Sequence, residues 1–323
     1  MIIKNHEKSI RLLITEALQR RLPPWHPKLA EIKEDWNKQM AGYRGEQALD
    51  YHLSILDSDE FYILYDLRLP CGDYYFQIDT LLIHPSFILI IEVKNMKGSL
   101  LFHTSFNQLI RTLNDQEEGF KNPIAQVKRQ TLQLQKWLNN HHISLPIYSV
   151  VVISNPNGII KADQTANIHQ LRKQVIHLES LTEHIYTLAN KTNSNATDKK
   201  SLKRLCKQLL KSHTPLETNI ELLYQLTPDL ILNGVQCPQC SSAPMKRINA
   251  NWFCPSCKLT SKQAHIQAIQ DYFLLVSPTI TTREAAIFLQ VSTVLACKLL
   301  KGMNLHSTGR TKNFVFLSPF YKK

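Results

Sequence analysis

The sequence predicts an α/β protein in which a sheet flanked by helices precedes two small C-terminal segments. Three observations support this fold class. Helical and strand-like patterns alternate between residues 41 and 160. Apolar residues make up 43% of the 323 residues, which is enough for a sizeable buried core. Two cysteine pairs and a basic helical stretch follow residue 234. At roughly 100 to 200 residues per domain, the chain has room for two or three domains.

The first folded segment, residues 41–160, has the clearest pattern. Its expected elements are a helix from residue 42 to about 56, strands at 61–67, 74–84 and 87–94, a hairpin at 98–104 and 106–113, a helix from 122 to about 139, and a strand at 146–154. The run at 87–94 is apolar almost to its end. Such a run is typical of a strand buried on both faces.

The segments on either side of this core are predicted to be mostly helical. Residues 1–40 form a helical arm, in which Arg20 and Arg21 could contact phosphate; the alternative is an arm that simply packs on the folded segment at 41–160. Residues 161–234 form a connecting region with a strand at 175–178, a helix from 181, a polar linker at 190–198 and a basic helix at 201–212.

The distribution of charge points to an acidic partner. The net charge is +12, and residues 235–323 alone carry eleven Lys and Arg against two Asp and Glu. A basic segment of this kind is the electrostatic footprint expected of a nucleic-acid-binding region. The longest apolar runs, such as residues 87–91, are too short to cross a bilayer, and the charged N-terminus does not have the pattern of a secretory signal. We therefore expect a cytoplasmic protein without a membrane partner.

Four of the seven cysteines form two pairs, and the pairs are separated by thirteen residues: Cys237, Cys240, Cys254 and Cys257. Thiolates from two such pairs can surround a tetrahedral Zn²⁺, with one β-hairpin between them and residues 249–253 as its returning strand. Disulfides and redox-active pairs are the alternatives. An odd cysteine count in an intracellular chain and the absence of a βαβ pattern disfavour them. We therefore predict a structural zinc ribbon at residues 235–262.

Residues 263–323 predict three helices followed by a hairpin. The first helix covers residues 264–276 and the third covers residues 293–303. The second helix begins at Thr281, which forms a capping box with Glu284. Two strands lie within residues 305–317. This order is similar to a winged helix-turn-helix, whose third helix enters the major groove while the wing contacts the backbone. A helical domain that binds protein is the alternative. The residues expected to face nucleic acid, mainly its phosphates, are Thr293, Lys298, Lys301, Arg310 and Lys312.

Charged residues interrupt the two strands predicted to be most buried. Asp79 lies within residues 74–84, and Glu92 and Lys94 end the next strand. Residues two apart on a strand share a face, so Glu92 and Lys94 project together and Asp79 can join them from the neighbouring strand. Two carboxylates can hold Mg²⁺, and a lysine can act on a water or stabilise charge at phosphorus. A buried ion pair without catalysis is the alternative.

The order of these residues along the chain resembles the PD-(D/E)XK nuclease superfamily and, more narrowly, the NERD (nuclease-related) domain. The arm and the ribbon make the arrangement similar to NERD proteins of the Bacillus type. The resemblance covers residues 41–140, and the stretches that carry it are GYRGE at 42–46, DL at 66–67, QID at 77–79, IEVKN at 91–95 with Gly98, and NP at 122–123 with Gln126.

The resemblance implies a restriction-endonuclease-like mixed sheet and a metal-dependent nuclease that hydrolyses DNA, with RNA left open as a substrate. It implies Asp79 and Glu92 as ligands of a catalytic Mg²⁺ or Mn²⁺, with the Val93 carbonyl as a further ligand. Ile78 stands where the superfamily pattern has a proline before the aspartate.

Three further site residues are implied by the same resemblance. Lys94 would act on the nucleophilic water, Glu46 would contact the metal or water, and Gln126 would be a polar residue of the active site. Two other functions remain open from the sequence. The chain could be a non-catalytic DNA-binding protein on a nuclease scaffold, or an interaction protein that binds a partner in DNA processing, such as a polymerase or repair complex.

Overall fold

The computed structural model of this protein describes residues 1–164, 167–192, 197–309 and 314–320, and the fold is mixed α/β. The chain divides into two compact units, which are referred to below as unit 1 and unit 2. Unit 1 comprises Met1–Glu7 and Met40–Pro215, and unit 2 comprises Lys8–Gln39 and Leu216–Lys323. Each unit is therefore assembled from two separate stretches of sequence.

The α-helices are numbered along the chain as α1 (Ile10–Arg21), α2 (Leu29–Gln47), α3 (Leu49–Ser54), α4 (Pro123–Asn140), α5 (Ile168–Gln174), α6 (Leu181–Thr192), α7 (Lys199–Ser212), α8 (Ile220–Tyr224), α9 (Ala264–Leu275), α10 (Thr282–Leu289) and α11 (Thr293–Gly302). Short 3-10 turns lie at Leu178–Ser180 and Pro228–Leu230. The strands are β1 (Ile2–Lys4), β2 (Tyr62–Cys71), β3 (Tyr74–His84), β4 (Phe87–Lys94), β5 (Gly98–His103), β6 (Gln108–Leu113), β7 (Gln116–Lys121), β8 (Ile147–Ile153), β9 (Gly158–Ala162), β10 (Val175–His177), β11 (Lys246–Ile248), β12 (Asn251–Phe253), β13 (Thr260–Ser261), β14 (Thr279–Ile280), β15 (Ser307–Thr308) and β16 (Val315–Leu317).

The main sheet of unit 1 has six strands in the order β1-β2-β3-β4-β8-β10. The strands β2, β3 and β4 are antiparallel to one another, while β1 pairs parallel with β2, and β8 pairs parallel with β4 and β10. Every residue of β4 except Lys94 is buried, as its apolar sequence predicts. One apolar core lies between this sheet and α4, and a second lies against α3 and α6.

The second sheet of unit 1 has the order β7-β6-β5-β9. The hairpin of β5 and β6 confirms the sequence-based prediction, but β7 and β9 were not expected. The exposed charged sequence of β7 lacks apolar alternation, and β9 begins at Gly158, after the last strand predicted for this segment. Gly98 opens β5 with a φ of 96°, and an added Cβ would lie 2.5 Å from the Thr112 carbonyl oxygen, so glycine is required there.

The structure corrects two expectations at the start of the chain. The helical arm predicted for residues 1–40 is preceded by a strand, β1, and α1 begins at Ile10 after Ser9, whose side chain caps it. The GYRGE motif was expected to open a helix, but it lies at the C-terminal end of α2. A separate short helix, α3, follows after Ala48. The pairing of β1 with β2 is a long-range contact, which helical periodicity in the arm cannot reveal.

Unit 2 is built around one apolar core to which its distant segments contribute. Ile14 and Leu18 of α1, Trp252 of β12 and Phe288 of α10 all belong to this core. At the charged end of α1, Arg21 is buried and Arg20 is partly exposed, and both contact Asp271 of α9. The two arginines are therefore bound within this unit.

The C-terminal part of unit 2 contains α9, α10, α11 and a sheet of order β14-β16-β15. The predicted capping box at Thr281 and Glu284 is confirmed, as is the predicted pairing of two strands after α11. No single helix in the described ranges is long and apolar enough to cross a membrane. Among the described residues, only α10 and α11 together meet that length and composition, and they are bent by 103°.

Candidate metal-binding active site

Three acidic residues lie in one row across the central strands of unit 1. The ladder between β2 and β3 skips one position, where Asp66 lies opposite Asp79. The ladder between β3 and β4 begins at Thr80 and Ile91, and its next position brings Asp79 opposite Glu92. The three carboxylates therefore come from neighbouring positions on three adjacent strands.

In both β2 and β3, the alternation of side chains between the two faces of the sheet is interrupted at this row. Leu64 and Leu67 pack into the same core although they are three residues apart, and so do Ile78 and Leu81. An unbroken strand places residues three apart on opposite faces. Asp66 has a left-handed backbone with a φ of 48°, which marks the irregularity on β2. The distortion keeps apolar side chains in the core on both sides of the acidic row.

Glu92 is the most buried carboxylate of this row, with 1% of its surface exposed. Lys94 Nζ donates a hydrogen bond of 2.6 Å to Glu92 Oε1, so the predicted shared face of these two residues is confirmed. Gln130 Nε2 donates to Glu92 Oε2 at 3.1 Å and to the Gln77 carbonyl oxygen at 2.9 Å. Both oxygens of Glu92 are thus oriented by specific donors.

The electrostatics around Asp79 favour the binding of a cation. Burial of its carboxylate raises its pKa well above the ordinary value, and the negative charges of Glu92 and Glu46 raise it further, although Lys94 opposes them. Burial lowers the pKa of Lys94, but the charge and hydrogen bond of Glu92 outweigh this effect, and the net shift is upward. Lys94 therefore stays cationic beside an excess of negative charge.

The helix α4 supplies a residue that the sequence analysis missed. Asn122 caps this helix by accepting a hydrogen bond of 2.9 Å from the Ile124 backbone N–H, which accounts for the NP motif. The implied site residue Gln126 is partly exposed, one turn before Gln130 on the same side of the helix. Gln130, rather than Gln126, donates to Glu92. The spacing of four residues between the two glutamines was the available signal.

The end of α2 is held against the end of β4 by the glycine and asparagine of the matched motifs. A Cβ on Gly45 would lie 2.5 Å from Asn95 Cβ, so only glycine allows this approach. Asn95 Nδ2 also donates to the Ala41 carbonyl oxygen at 2.8 Å. These contacts place Glu46 near the acidic row, where its Oε2 lies 3.0 Å from His6 Nε2.

His6 reaches the site because β1 runs parallel to β2. Lys4 lies beside Leu64 in this pairing, so two further residues along each strand bring His6 next to Asp66. The distance from His6 Nε2 to Asp66 Oδ2 is 4.0 Å. No sequence signal connects His6 with this site. Asp66 was part of a matched stretch but was given no role.

The surroundings raise the pKa of both Asp66 and His6. Burial of Asp66 and the nearby charge of Glu46 raise the Asp66 pKa to about 6, against the opposing charge of His6. Burial lowers the pKa of His6, but the hydrogen bond that Glu46 accepts from it and the charge of Asp66 outweigh this effect. His6 and Asp66 therefore share one electrostatic environment with Glu46.

Val93 lies between Glu92 and Lys94 on β4. Its side chain packs into the core on the other face of the sheet, together with Ile91. This is the position that strand alternation requires. The proposed function of its carbonyl as a metal ligand is considered below.

The four cysteines of unit 2 form a second candidate metal centre. Their sulfur atoms lie within 4.8 Å of one another, and two of the distances, Cys237 Sγ to Cys257 Sγ and Cys240 Sγ to Cys254 Sγ, are 3.5 Å. Four sulfurs at about 2.3 Å from one Zn²⁺ require separations of this size. The cluster therefore could hold zinc in a zinc-ribbon-like arrangement.

The two halves of this cluster have matching backbone turns. Ser241 and Lys258, which directly follow the second cysteine of each pair, both have a left-handed backbone. The hairpin between the pairs turns at Asn249 and Ala250, whose φ angles are 46° and 61°. The returning strand therefore covers Asn251–Phe253 rather than the predicted 249–253, because the first two residues of that range form the turn.

The residues expected to contact nucleic acid lie mainly on α11. Thr293, Lys298 and Lys301 are exposed on this helix, and Ser292 caps it by accepting a hydrogen bond from Leu295 N. The other two members of the predicted set, Arg310 and Lys312, lie outside the described residues. The described part of the set thus forms one accessible face of α11.

Comparison with known proteins gives one match, which covers the acidic site. Residues 41–154 match the family model of the nuclease-related domain, NERD. Neither the curated proteins nor the solved structures yielded a match. The matched range contains Glu46, Asp79, Glu92 and Lys94, together with the strands that place them. A nuclease-related domain is therefore found at residues 41–154 of this chain.

Proposed function

We propose that the nuclease-related domain hydrolyses DNA phosphodiester bonds with Mg²⁺ or Mn²⁺, as in the PD-(D/E)XK pattern. The observation that carries this proposal is the meeting of Asp79 and Glu92 on adjacent strands, with Lys94 Nζ 2.6 Å from Glu92. Paired carboxylates supply the oxygen ligands that hard divalent cations prefer. Lys94 adds a positive charge next to these two carboxylates.

The chemistry of the donors fits a divalent cation. Burial and the charge of Glu92 raise the pKa of Asp79, so the two carboxylates repel each other in a poorly hydrated place. A cation between them would relieve this repulsion. When bound, the metal would polarise the phosphate and lower the pKa of a coordinated water. Asp79 and Glu92 would hold it, with the Val93 carbonyl as a further ligand.

The other residues of the site would position and activate the reacting groups. Lys94 would orient the attacking water and stabilise negative charge at the phosphate. Gln130 would fix the carboxylate of Glu92, since it donates to both Glu92 and the Gln77 backbone. Glu46 would accept a hydrogen bond from water or ligate metal, and Gln126 would contact the substrate at the exposed edge of α4.

Unit 2 would hold the DNA. We assign Zn²⁺ to the four cysteines as a structural ion, because a site with four protein ligands leaves no open position for chemistry. The helices α9 to α11 with the following hairpin would act as a winged helix-turn-helix, the exposed α11 contacting phosphates through Lys298 and Lys301. This organisation is similar to that of Bacillus-type NERD proteins.

Cleavage by purified protein tests the catalytic part of this proposal. Wild type, Glu92→Ala and the exposed control Glu117→Ala are compared on labelled duplex DNA, single-stranded DNA and RNA, with Mg²⁺, Mn²⁺ or EDTA. We expect metal-dependent cleavage of DNA by wild type and Glu117→Ala and none by Glu92→Ala. Equal cleavage by all three proteins would overturn the site. Salt-sensitive binding without any cleavage would favour a DNA-binding protein.

Binding of duplex DNA, measured at several salt concentrations, tests the role of α11. Lys298 and Lys301 are replaced together by alanine, and the control replaces Lys203 and Lys207, two exposed lysines on α7. Each lost phosphate contact lowers the slope of log K against log salt by about 0.9 for duplex DNA. We expect a shallower slope in the α11 variant alone. An unchanged slope would contradict phosphate binding by this helix, and salt-independent binding would favour a protein partner.

A further inference from the structure

His6, Glu46 and Asp66 bring three metal-ligating side chains together beside the proposed catalytic carboxylates. One ligand atom from each of them lies within 4.8 Å of the others. His6 Nε2 lies 3.0 Å from Glu46 Oε2 and 4.0 Å from Asp66 Oδ2. Ligands of one small cation, each at about 2.1 Å from it, lie about 3 to 4 Å apart. The three groups therefore need little movement to share an ion.

The imidazole is held in place before any ligand binds. Its side chain is 6% exposed, and its ring packs against Tyr43 and Tyr65 with centroid distances of 5.1 and 4.9 Å. The pairing of β1 with β2 fixes the backbone just before it. A ligand that is already ordered loses little conformational entropy when it binds a metal.

Asp66 provides an independent observation that points to a ligand of this cluster. Its Oδ2 is buried and has no hydrogen-bond partner among the groups that the structure describes. The charge of Lys4 and the nearby backbone N–H of Glu7 lower the pKa of the same carboxylate only in part. Buried carboxylate oxygens are rarely left without a donor or a cation, because their desolvation is costly. The left-handed backbone of Asp66, with a φ of 48°, is also an uncommon conformation that needs support from its surroundings.

We propose that His6, Glu46 and Asp66 form a transition-metal site, distinct from the Asp79–Glu92 pair and selective for cations of the Mn²⁺ class. A set of one imidazole and two carboxylates suits Mn²⁺, Fe²⁺ or Zn²⁺, whereas Mg²⁺ prefers oxygen ligands and retains its waters. The competing interpretation is a metal-free ion pair in which a protonated His6 neutralises the carboxylates. The proposal goes beyond the nuclease function and does not require cleavage to be correct.

Pulsed EPR on bound Mn²⁺ distinguishes the two interpretations, because it detects nitrogen nuclei coordinated to the ion. The full chain is first given one equivalent of Zn²⁺, which the four thiolates bind in preference to nitrogen and oxygen ligands, and is then titrated with Mn²⁺. We expect the wild type to show coupling to an imidazole nitrogen. His6→Gln should lose this coupling, and Asp66→Asn should weaken binding of the nitrogen-coupled Mn²⁺ at least tenfold.

Two control variants keep this test independent of folding and of catalysis. His52→Gln removes another partly buried histidine, whose Nε2 lies 4.0 Å from Glu179 and which belongs to neither metal-ligating cluster of the described residues. Glu92→Gln removes one proposed catalytic ligand. Both variants should keep the nitrogen coupling, so failure of the nuclease proposal would leave this signal intact. Circular dichroism of His6→Gln and Asp66→Asn checks that both variants are folded.

Competition with Mg²⁺ adds a second readout. Excess Mg²⁺ should displace Mn²⁺ from the oxygen ligands of Asp79 and Glu92 while the nitrogen-coupled ion remains. Wild-type protein without nitrogen coupling at saturating Mn²⁺ would overturn the proposal in favour of the ion pair. Coupling that persists in folded His6→Gln would also overturn it, since the nitrogen would belong to another histidine.

Discussion

Both units of this protein bury carboxylates, but they compensate the charge in opposite ways. In unit 2, Asp271 is completely buried, and Arg20 Nη2 and Arg21 Nε lie 2.7 and 2.8 Å from its two oxygens. Gln267 Nε2 also donates to it at 3.1 Å. In unit 1, Asp79 faces Glu92 with Glu46 nearby, and Lys94 is the cation that opposes them.

The difference separates a structural ion pair from a site prepared for a ligand. Two guanidinium groups satisfy Asp271, so nothing further needs to bind there. Asp79 instead has its pKa raised by burial and by Glu92, which means that holding the two carboxylates together destabilises the fold. Such destabilisation is expected where a cation completes the site, so removal of the carboxylate should affect function and stability in opposite directions.

The sharpest test of this comparison is Asp79→Asn. We expect cleavage to fall at least roughly 10³-fold, because a metal ligand is lost. The zinc-loaded protein without other divalent cations should become more stable, because the raised pKa of Asp79 reflects a repulsion that asparagine lacks. Hydrogen exchange of the β3 and β4 amides measures the stability. Asp73→Asn, at an exposed turn, is the control, and loss of stability in Asp79→Asn would contradict the comparison.

The reverse result is expected for Asp271→Asn. This variant leaves Arg21, which is 1% exposed, without its carboxylate in the core of unit 2. Breaking a buried pair in this way costs about 3 to 5 kcal/mol. Hydrogen exchange in α9 reports the loss, and the exposed Asp229→Asn should change it little. A loss as small as that of the control would mean that the ion pair is energetically unimportant.

Separate replacement of Gln126 and Gln130 on α4 by alanine shows which of the two glutamines acts in the site. The sequence resemblance implies Gln126, whereas the structure places Gln130 against Glu92. Gln130→Ala should lower kcat about 10- to 100-fold, since it frees the carboxylate of Glu92 to rotate. Gln126→Ala should have a smaller effect on kcat and act mainly on KM, because Gln126 lies at the partly exposed edge. Steady-state cleavage kinetics measure both, and the opposite ranking would favour the implied role of Gln126 over that of Gln130.

The smallest effect is expected in the pH dependence of the free energy of unfolding. It is measured on zinc-loaded protein without other divalent cations. Burial and Glu46 raise the folded pKa of Asp66 to about 6 from 3.8, so the native state binds more protons than the unfolded state between these values. Stability should therefore fall as pH rises from 4 to 6, by about 1 to 2 kcal/mol from this residue. Asp66→Asn should flatten the dependence in urea titrations, and an unchanged slope would contradict this assignment.

Local patterns predicted much of the nuclease-related domain. The bounds of β3 and β4 matched the apolar runs, and the period of two along β4 predicted the contact between Glu92 and Lys94. The spacing of the cysteine pairs likewise predicted a four-cysteine cluster, because each pair forms within one tight turn. In contrast, β1, β7 and β9 were missed, since edge strands with few buried residues carry no strong periodicity.

The sequence by itself determined which residues end the buried strands, which cysteines form the two closely spaced pairs, and where α4 begins. These features depend on residues only a few positions apart. Tertiary structure decided that His6 and Asp66 meet Glu46, that Gln130 orients Glu92, and that Arg20 and Arg21 bind Asp271. Those partners are separated by dozens to hundreds of positions along the chain. Only the pairing of strands and the packing of helices fix such distances, and neither is encoded in a local period or spacing.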